Sequence, residues 1–215
     1  MPVRAGIGLV ILSAASLAHE VTLTRVFSYS LNPVVAFSAI AVAMLGFGVG
    51  ATVLSLARRD PGGDPAPLAS DLCVALAASV IVVAAWFART SHHVMLSGEW
   101  QPDVCWSIAV FLPWVVPYAL SGMATAAVLE SGVAAIGRLY AWNLGGAAAG
   151  AVLGLTLLRP VGAERIIALS AVASACAAIL FGWPAGRARR LAGAVALAAS
   201  IGCVPFAGRL LPFQP

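Results

Sequence analysis

Seven apolar runs, each close to 20 residues or longer, alternate with short polar breaks along the chain. They cover residues 6–28, 33–57, 71–89, 104–129, 139–158, 164–183 and 190–210. A helix rises about 1.5 Å per residue, so about 20 residues cross the ~30 Å hydrocarbon layer of a bilayer. No alternating apolar-polar stretch suggests a strand. The pattern predicts an all-α integral membrane protein, a bundle of about seven transmembrane helices. The breaks between runs are short, so one transmembrane domain is expected over residues 1–215.

The first run resembles a signal peptide at its start, where Arg4 precedes apolar residues. It continues past Ala18, however, and carries Glu20 and Arg25. A signal core is uncharged and about 7–15 residues long, so a retained span is expected. The second break, "RRDPGGDPAP", is rich in Pro, Gly and Asp. The third, "RTSHHVMLSGEWQPD", mixes charge with His92, His93 and Trp100, and is read as a loop.

Composition strengthens this picture. Hydrophobic residues make up 61% of the chain and charged residues 9%, with a mean hydropathy of +0.99. A soluble domain carries about 25% charged residues, so lipid is the solvent that suits this surface. The net charge of +4 comes from arginines alone, with no lysine. They stand singly or in small groups at the ends of runs, which argues for topology signals and against nucleic-acid binding. With the N-terminus inside, Arg4, Arg58, Arg59, Arg138, Arg187, Arg189 and Arg190 lie inside, and Arg89, Arg159, Arg165 and Arg209 outside. The bias predicts a cytoplasmic N-terminus in a bacterial-type plasma (inner) membrane, and seven spans then leave the C-terminus outside. Trp100, Trp106 and Trp183 fit interfacial anchors.

Cys73, Cys105, Cys176 and Cys203 form no CxxC pair and read as small buried hydrophobes. Only His19 of the three histidines falls inside a run. No haem or metal site is therefore expected, and no cofactor.

Several positions break the apolar pattern. Gly46, Gly48 and Gly50 lie in "MLGFGVGA", and Gly146, Gly150 and Gly154 in "GGAAAGAVLG". A spacing of four puts Gly46 and Gly50, and the second trio, on one helical face, where backbones approach closely. That suits tight packing or a sliding contact between moving helices. Glu20 and Arg25, in "AHEVTLTRVFS", lie within or near the end of the first run, with Thr22 and Thr24 beside them. Ionisable groups there face a bundle interior, or in the case of Arg25 reach for the interface. Asn143, in "GRLYAWNLGG", needs a partner, for which Glu20 and Arg25 are candidates; Arg138 and Tyr140 suit the headgroup level. Pro113 and Pro117 are expected to kink the fourth span. Glu20, Arg25 and Asn143 are thus the candidate substrate-binding residues.

These segments resemble the membrane part of the membrane-bound spermidine synthase-like proteins, the fused major-facilitator/spermidine synthases. Glu20, Thr24, Arg25, Leu45, Gly46, Gly48 and Gly50 match the first two spans of that family, with His19 in place of its usual tyrosine. Pro117, Tyr118 and Gly122 match a later segment. Gly137, Arg138, Leu139, Tyr140, Ala141, Asn143 and Gly145 match the most specific motif. The resemblance covers about residues 7–183. It implies a membrane bundle joined to a soluble aminopropyltransferase domain, which the 215 residues do not contain, so aminopropyl transfer is not expected here.

Two functions follow as expectations. The first is a non-enzymatic, transporter-like module for a small cationic solute, which can also serve a separately encoded soluble enzyme; Glu20 would face the cation. The second is a structural or accessory subunit of a larger membrane complex, respiratory or photosynthetic. An intramembrane enzyme would need converging polar groups that only His19 and Glu20 begin to supply.

Overall fold

The computed structural model describes residues 3–30, 33–57, 64–95, 111–130 and 136–210. Every regular element among them is helical. In chain order these are α1 (Val3–Ser30), α2 (Pro33–Ala57), α3 (Ala66–Met95), a 3₁₀ turn (Leu112–Trp114), α4 (Val115–Glu130), α5 (Ile136–Val161), α6 (Ala163–Gly182), α7 (Arg187–Cys203) and the one-turn α8 (Ala207–Leu210).

Local chemistry sets several of these ends. Asp64 Oδ1 accepts the Ala66 N–H at 3.1 Å, and Pro67 sits in the first turn of α3, where a missing N–H costs nothing. No Gly or Pro interrupts residues 68–95, and α3 accordingly runs to Met95. The backbone at His92 and His93 is therefore helical, not the loop expected from their polarity. Pro113 lies in the 3₁₀ turn and Pro117 in the first turn of α4. Gly162, at φ +90°, ends α5 and starts α6: its N–H donates to Leu158 O, and its carbonyl accepts the Ile166 N–H. Only glycine takes such a φ without strain. Trp100, Trp106 and Cys105 lie outside the described residues.

Six helices among the described residues are long and apolar enough to cross a bilayer, so the chain is a multi-pass, all-helical membrane protein. The count is six, not seven. The seventh apolar run contributes α7, of 17 residues, about 26 Å long. Three arginines crowd its first four positions, and the turn at residues 204–206, with Pro205 at its centre, stops it. Six crossings return the chain to the side where it began, so the seven-span argument for an outside C-terminus falls. α7 instead folds back along α6, with Gly193 against Ile179.

The helices divide into a centre and a periphery. The spanning windows of α1 and α6 are 56% and 61% buried, those of α2 and α5 only 28% and 17%. α1, α3, α4 and α6 form the centre, where Leu9, Leu12, Phe27, Phe87, Trp114 and Tyr118 are among the largest fully buried side chains. α2 packs mainly on α4, and α5 mainly on α1. Ser70 Oγ donates to Ala178 O at 2.9 Å and ties α3 to α6.

The two peripheral contacts are built alike. On α5, Gly146 lies against the Val10 backbone, Gly150 against Ala14 and Gly154 against Ala18. On α2, Gly46 lies against Val115 and Tyr118, and Gly50 against Ala119. Gly46 and Gly50 precede Gly146 and Gly150 by 100 residues, while Val10 and Ala14 precede Val115 and Ala119 by 105. Adding 100 on the glycine side and subtracting 105 on the other turns the α2–α4 contact into the α5–α1 contact, down to the carbonyl oxygens touched. Ser16 and Ser121 are also 105 apart, and their hydroxyls meet at 2.6 Å. The contact of α1 with α5 and that of α4 with α2 therefore follow one arrangement, and α1 and α4 cross at a residue and its own equivalent.

Candidate functional site

The crossing of α1 and α4 holds the polar interior. Ser13, Ser16 and His19 recur at intervals of three on α1, one helical face pointing inward, and each is buried. Ser16 Oγ also reaches Leu12 O at 3.0 Å, and Ser13 Oγ lies 2.8 Å from Leu9 O. From α6, Ser170 and Ser174 donate to Ile167 O and Ser170 O. The two α6 hydroxyls are satisfied by their own helix, which is how serine is tolerated in a dry bundle.

A cavity of about 10 Å³, the size of a single water, lies among them. Ser16 and His19 of α1, Pro117, Tyr118 and Ser121 of α4, and Ser170 and Ser174 of α6 line it, with Leu76 and Val80 of α3 closing it. All four central helices contribute. His19 is 3% exposed and Tyr118 2%. The His19 ring stands edge-on to Trp114 at 5.5 Å and tilted to Tyr118 at 5.6 Å. Phe27, Phe87 and Phe111 continue the aromatic column beyond Trp114, and Phe47 flanks Tyr118.

Three buried polar atoms in this cluster have no hydrogen-bond partner among the described residues: His19 Nε2, Tyr118 Oη and Trp114 Nε1. An unpaired buried donor or acceptor costs about 1–3 kcal/mol. Three on side chains that meet at His19 are a concentrated cost that packing alone does not require. Imidazole and phenol each donate and accept, so the pocket can hold a small polar group or hand a proton along.

The residues singled out in the sequence do not converge. Glu20 is half-buried on α1, beside His19 in sequence, but it does not line the cavity. Thr22 and Thr24 donate to Ala18 O and Glu20 O of their own helix. Arg25 is exposed. Asn143 finds neither Glu20 nor Arg25 as partner: its Oδ1 accepts the Ser13 hydroxyl at 2.5 Å. Glu20 lies two turns away from that contact, about 10 Å along α1. Arg138 and Tyr140 are exposed at the start of α5. Pro117 lines the cavity, and Gly122 lies against the Phe47 backbone. Among the described residues no three His, Cys, Asp or Glu side chains gather as a metal site. The chain matches no protein-family model, no curated protein and no solved structure.

Proposed function

We propose that this chain is a transporter-type membrane module, in which a small cationic solute passes between two three-helix halves at the level of Ser16 and Ser121. The observation that carries the reading is the polar pocket where α1 crosses α4, its equivalent in the second half. Each half crosses the membrane three times, an odd number, so the halves run in opposite senses. Inverted repeats of this kind underlie many transporters, with the solute site near mid-membrane at their junction. His19 and Tyr118 would contact the solute. Glu20 would draw a cation toward them, in keeping with the resemblance to polyamine-handling proteins. Arg25 and Asn143 stand apart from the pocket and serve topology and packing. The arginines at the starts of α1, α5 and α7 share one end of the alternating bundle, which supports a cytoplasmic N-terminus in a bacterial inner membrane.

Uptake of radiolabelled spermidine into proteoliposomes tests this, comparing the wild type with Glu20→Gln and His19→Ala. Uptake is expected in the wild type and should fall in both variants. Equal uptake by all three removes the pocket from the mechanism. No uptake by the wild type, of spermidine or of a tetraalkylammonium probe, sinks the transport reading.

One observation favours the second reading, an accessory subunit or a module for a separately encoded enzyme. α2 and α5 leave broad apolar faces open, with Gly48 and Gly145 touching nothing. Purification in mild detergent separates the two: stoichiometric capture of a larger complex favours the subunit, and a monodisperse chain favours the transporter.

A further inference from the structure

At the end of the bundle where α1 starts and α6 stops, two arginines share one indole. The Arg190 guanidinium stands 4.9 Å from the centre of the Trp183 ring and that of Arg4 5.4 Å. Arg190 Nε is buried with no hydrogen-bond partner among the described residues. The neighbouring Arg189 is paired: its Nε donates to the two oxygens of Asp71 at 3.0 and 3.2 Å. Arg187 is exposed beside them. Among the described residues no carboxylate pairs with Arg4, Arg187 or Arg190, and cations gathered at one end of the bundle favour an anion there.

The backbone adds to it. α7 begins at Gly186, whose φ of +113° turns the chain and which has no side chain to cap the helix. The Arg190 N–H reaches Gly186 O, leaving the N–H groups before it without an acceptor in the helix. Open N–H groups and the positive end of the helix dipole favour a phosphate, and Arg187 and Arg190 belong to the same first turn of α7. Below this turn the surface is apolar: Leu191 and Val195 on α7 and Val3 and Ile7 on α1 are exposed. Trp183 lies between the two helices at the level where indoles mark the bilayer interface.

We propose that Arg4, Arg187, Arg190 and the start of α7 hold the phosphate of an anionic membrane phospholipid, whose acyl chains lie along Leu191 and Val195. A lipid is favoured over free phosphate because the charged turn opens directly onto this apolar strip. The site does not depend on whether the central pocket transports anything.

The test titrates the full-length protein in mild detergent with phosphatidylglycerol, phosphatidylcholine or inorganic phosphate, reading bound lipid by native mass spectrometry and the thermal midpoint in parallel. Phosphatidylglycerol should bind and raise the midpoint, and phosphatidylcholine should do neither. At about five-fold per arginine, Arg4→Gln with Arg190→Gln should weaken phosphatidylglycerol binding about 30-fold. Arg89→Gln, an exposed arginine at the far end of α3, should leave it unchanged. If the double variant does not fold, Arg187→Gln carries the same test with about a five-fold loss. Equal binding by the variants, equal binding of phosphatidylcholine, or the same stabilisation by inorganic phosphate alone would each overturn the proposal.

Discussion

Gly145 and Gly146 are neighbours on α5 that should respond oppositely to the same added methyl. A Cβ on Gly146 would stand 2.5 Å from the Val10 carbonyl oxygen, 2.8 Å from its Cα and 3.0 Å from its carbonyl carbon. All three are α1 backbone, so no rotamer change relieves them. Restoring ordinary contact requires α1 and α5 to part by about 1 Å, in an interior as close-packed as a crystal. That also loosens Gly150 from Ala14 and Gly154 from Ala18, one and two turns on. Overpacking costs about 1–3 kcal/mol, and alanine returns about 1 kcal/mol as a better helix former. At Gly145 nothing lies within 4 Å, so only a gain of about 0.5–1 kcal/mol remains. Unfolding by SDS titration from mild detergent, followed by tryptophan fluorescence, should place the midpoint of Gly146→Ala below wild type and that of Gly145→Ala at or above it. The α2–α4 contact extends the comparison: Gly46→Ala, 100 residues before Gly146, should behave like Gly146→Ala, and Gly48→Ala, at an open position of α2, like Gly145→Ala. Equal shifts for Gly145→Ala and Gly146→Ala would refute the claim that backbone contact through Gly146 joins α1 to α5.

Other outcomes follow from the central crossing and the α7 end. Ser16→Cys with Ser121→Cys should form a disulfide on mild oxidation, visible as a mobility shift after cleavage between α3 and α4; no cross-link would place α1 and α4 further apart. Tyr118→Phe removes a buried hydroxyl that has no partner among the described residues, so it should leave stability unchanged or raise it by about 1 kcal/mol while lowering uptake; a clear loss of stability would mean the hydroxyl is bonded. A double-mutant cycle of Ser13→Ala and Asn143→Ala should return a coupling near 0.6 kcal/mol, the usual worth of a hydrogen bond between membrane helices; zero coupling would remove the contact. Asp71→Asn breaks a half-exposed ion pair and should cost less than about 1 kcal/mol, shrinking further at high salt.

Much of the helical layout was legible because length and apolarity are what a bilayer demands of a span. The failure came at α7. A hydropathy run counts apolar residues and does not weigh three arginines at one end against a proline near the other. The loop assigned to residues 90–95 failed for the converse reason, since polarity without Gly or Pro does not stop a helix. Glu20, Arg25 and Asn143 attracted attention because charge and amide stand out against an apolar background. That test is biased toward the loudest letters. The groups that meet at the centre are serines three or four apart, one histidine and aromatic residues, each ordinary in a membrane helix. The Ser13, Ser16 and His19 spacing was readable as one face, but nothing in it named Tyr118 and Trp114 as its neighbours.

The repeat shows why such a site hides in a sequence. What recurs between the halves is backbone approach, through glycines 100 residues apart meeting carbonyls 105 residues apart. Side chains at the remaining equivalent positions are free to diverge. Adding 105 to His19 gives Ala124, and subtracting it from Tyr118 gives Ser13. His19 and Tyr118, which put unpaired polar atoms at the cavity, are thus among the places where the two crossing helices differ. Packing constrains both copies equally, since each must seat a glycine helix on its partner. It gives no reason for histidine in one copy and alanine in the other at equally buried positions, 3% and 0% exposed. Burying a histidine where an alanine packs well costs stability, so the difference points to a role for this crossing beyond holding the two halves together.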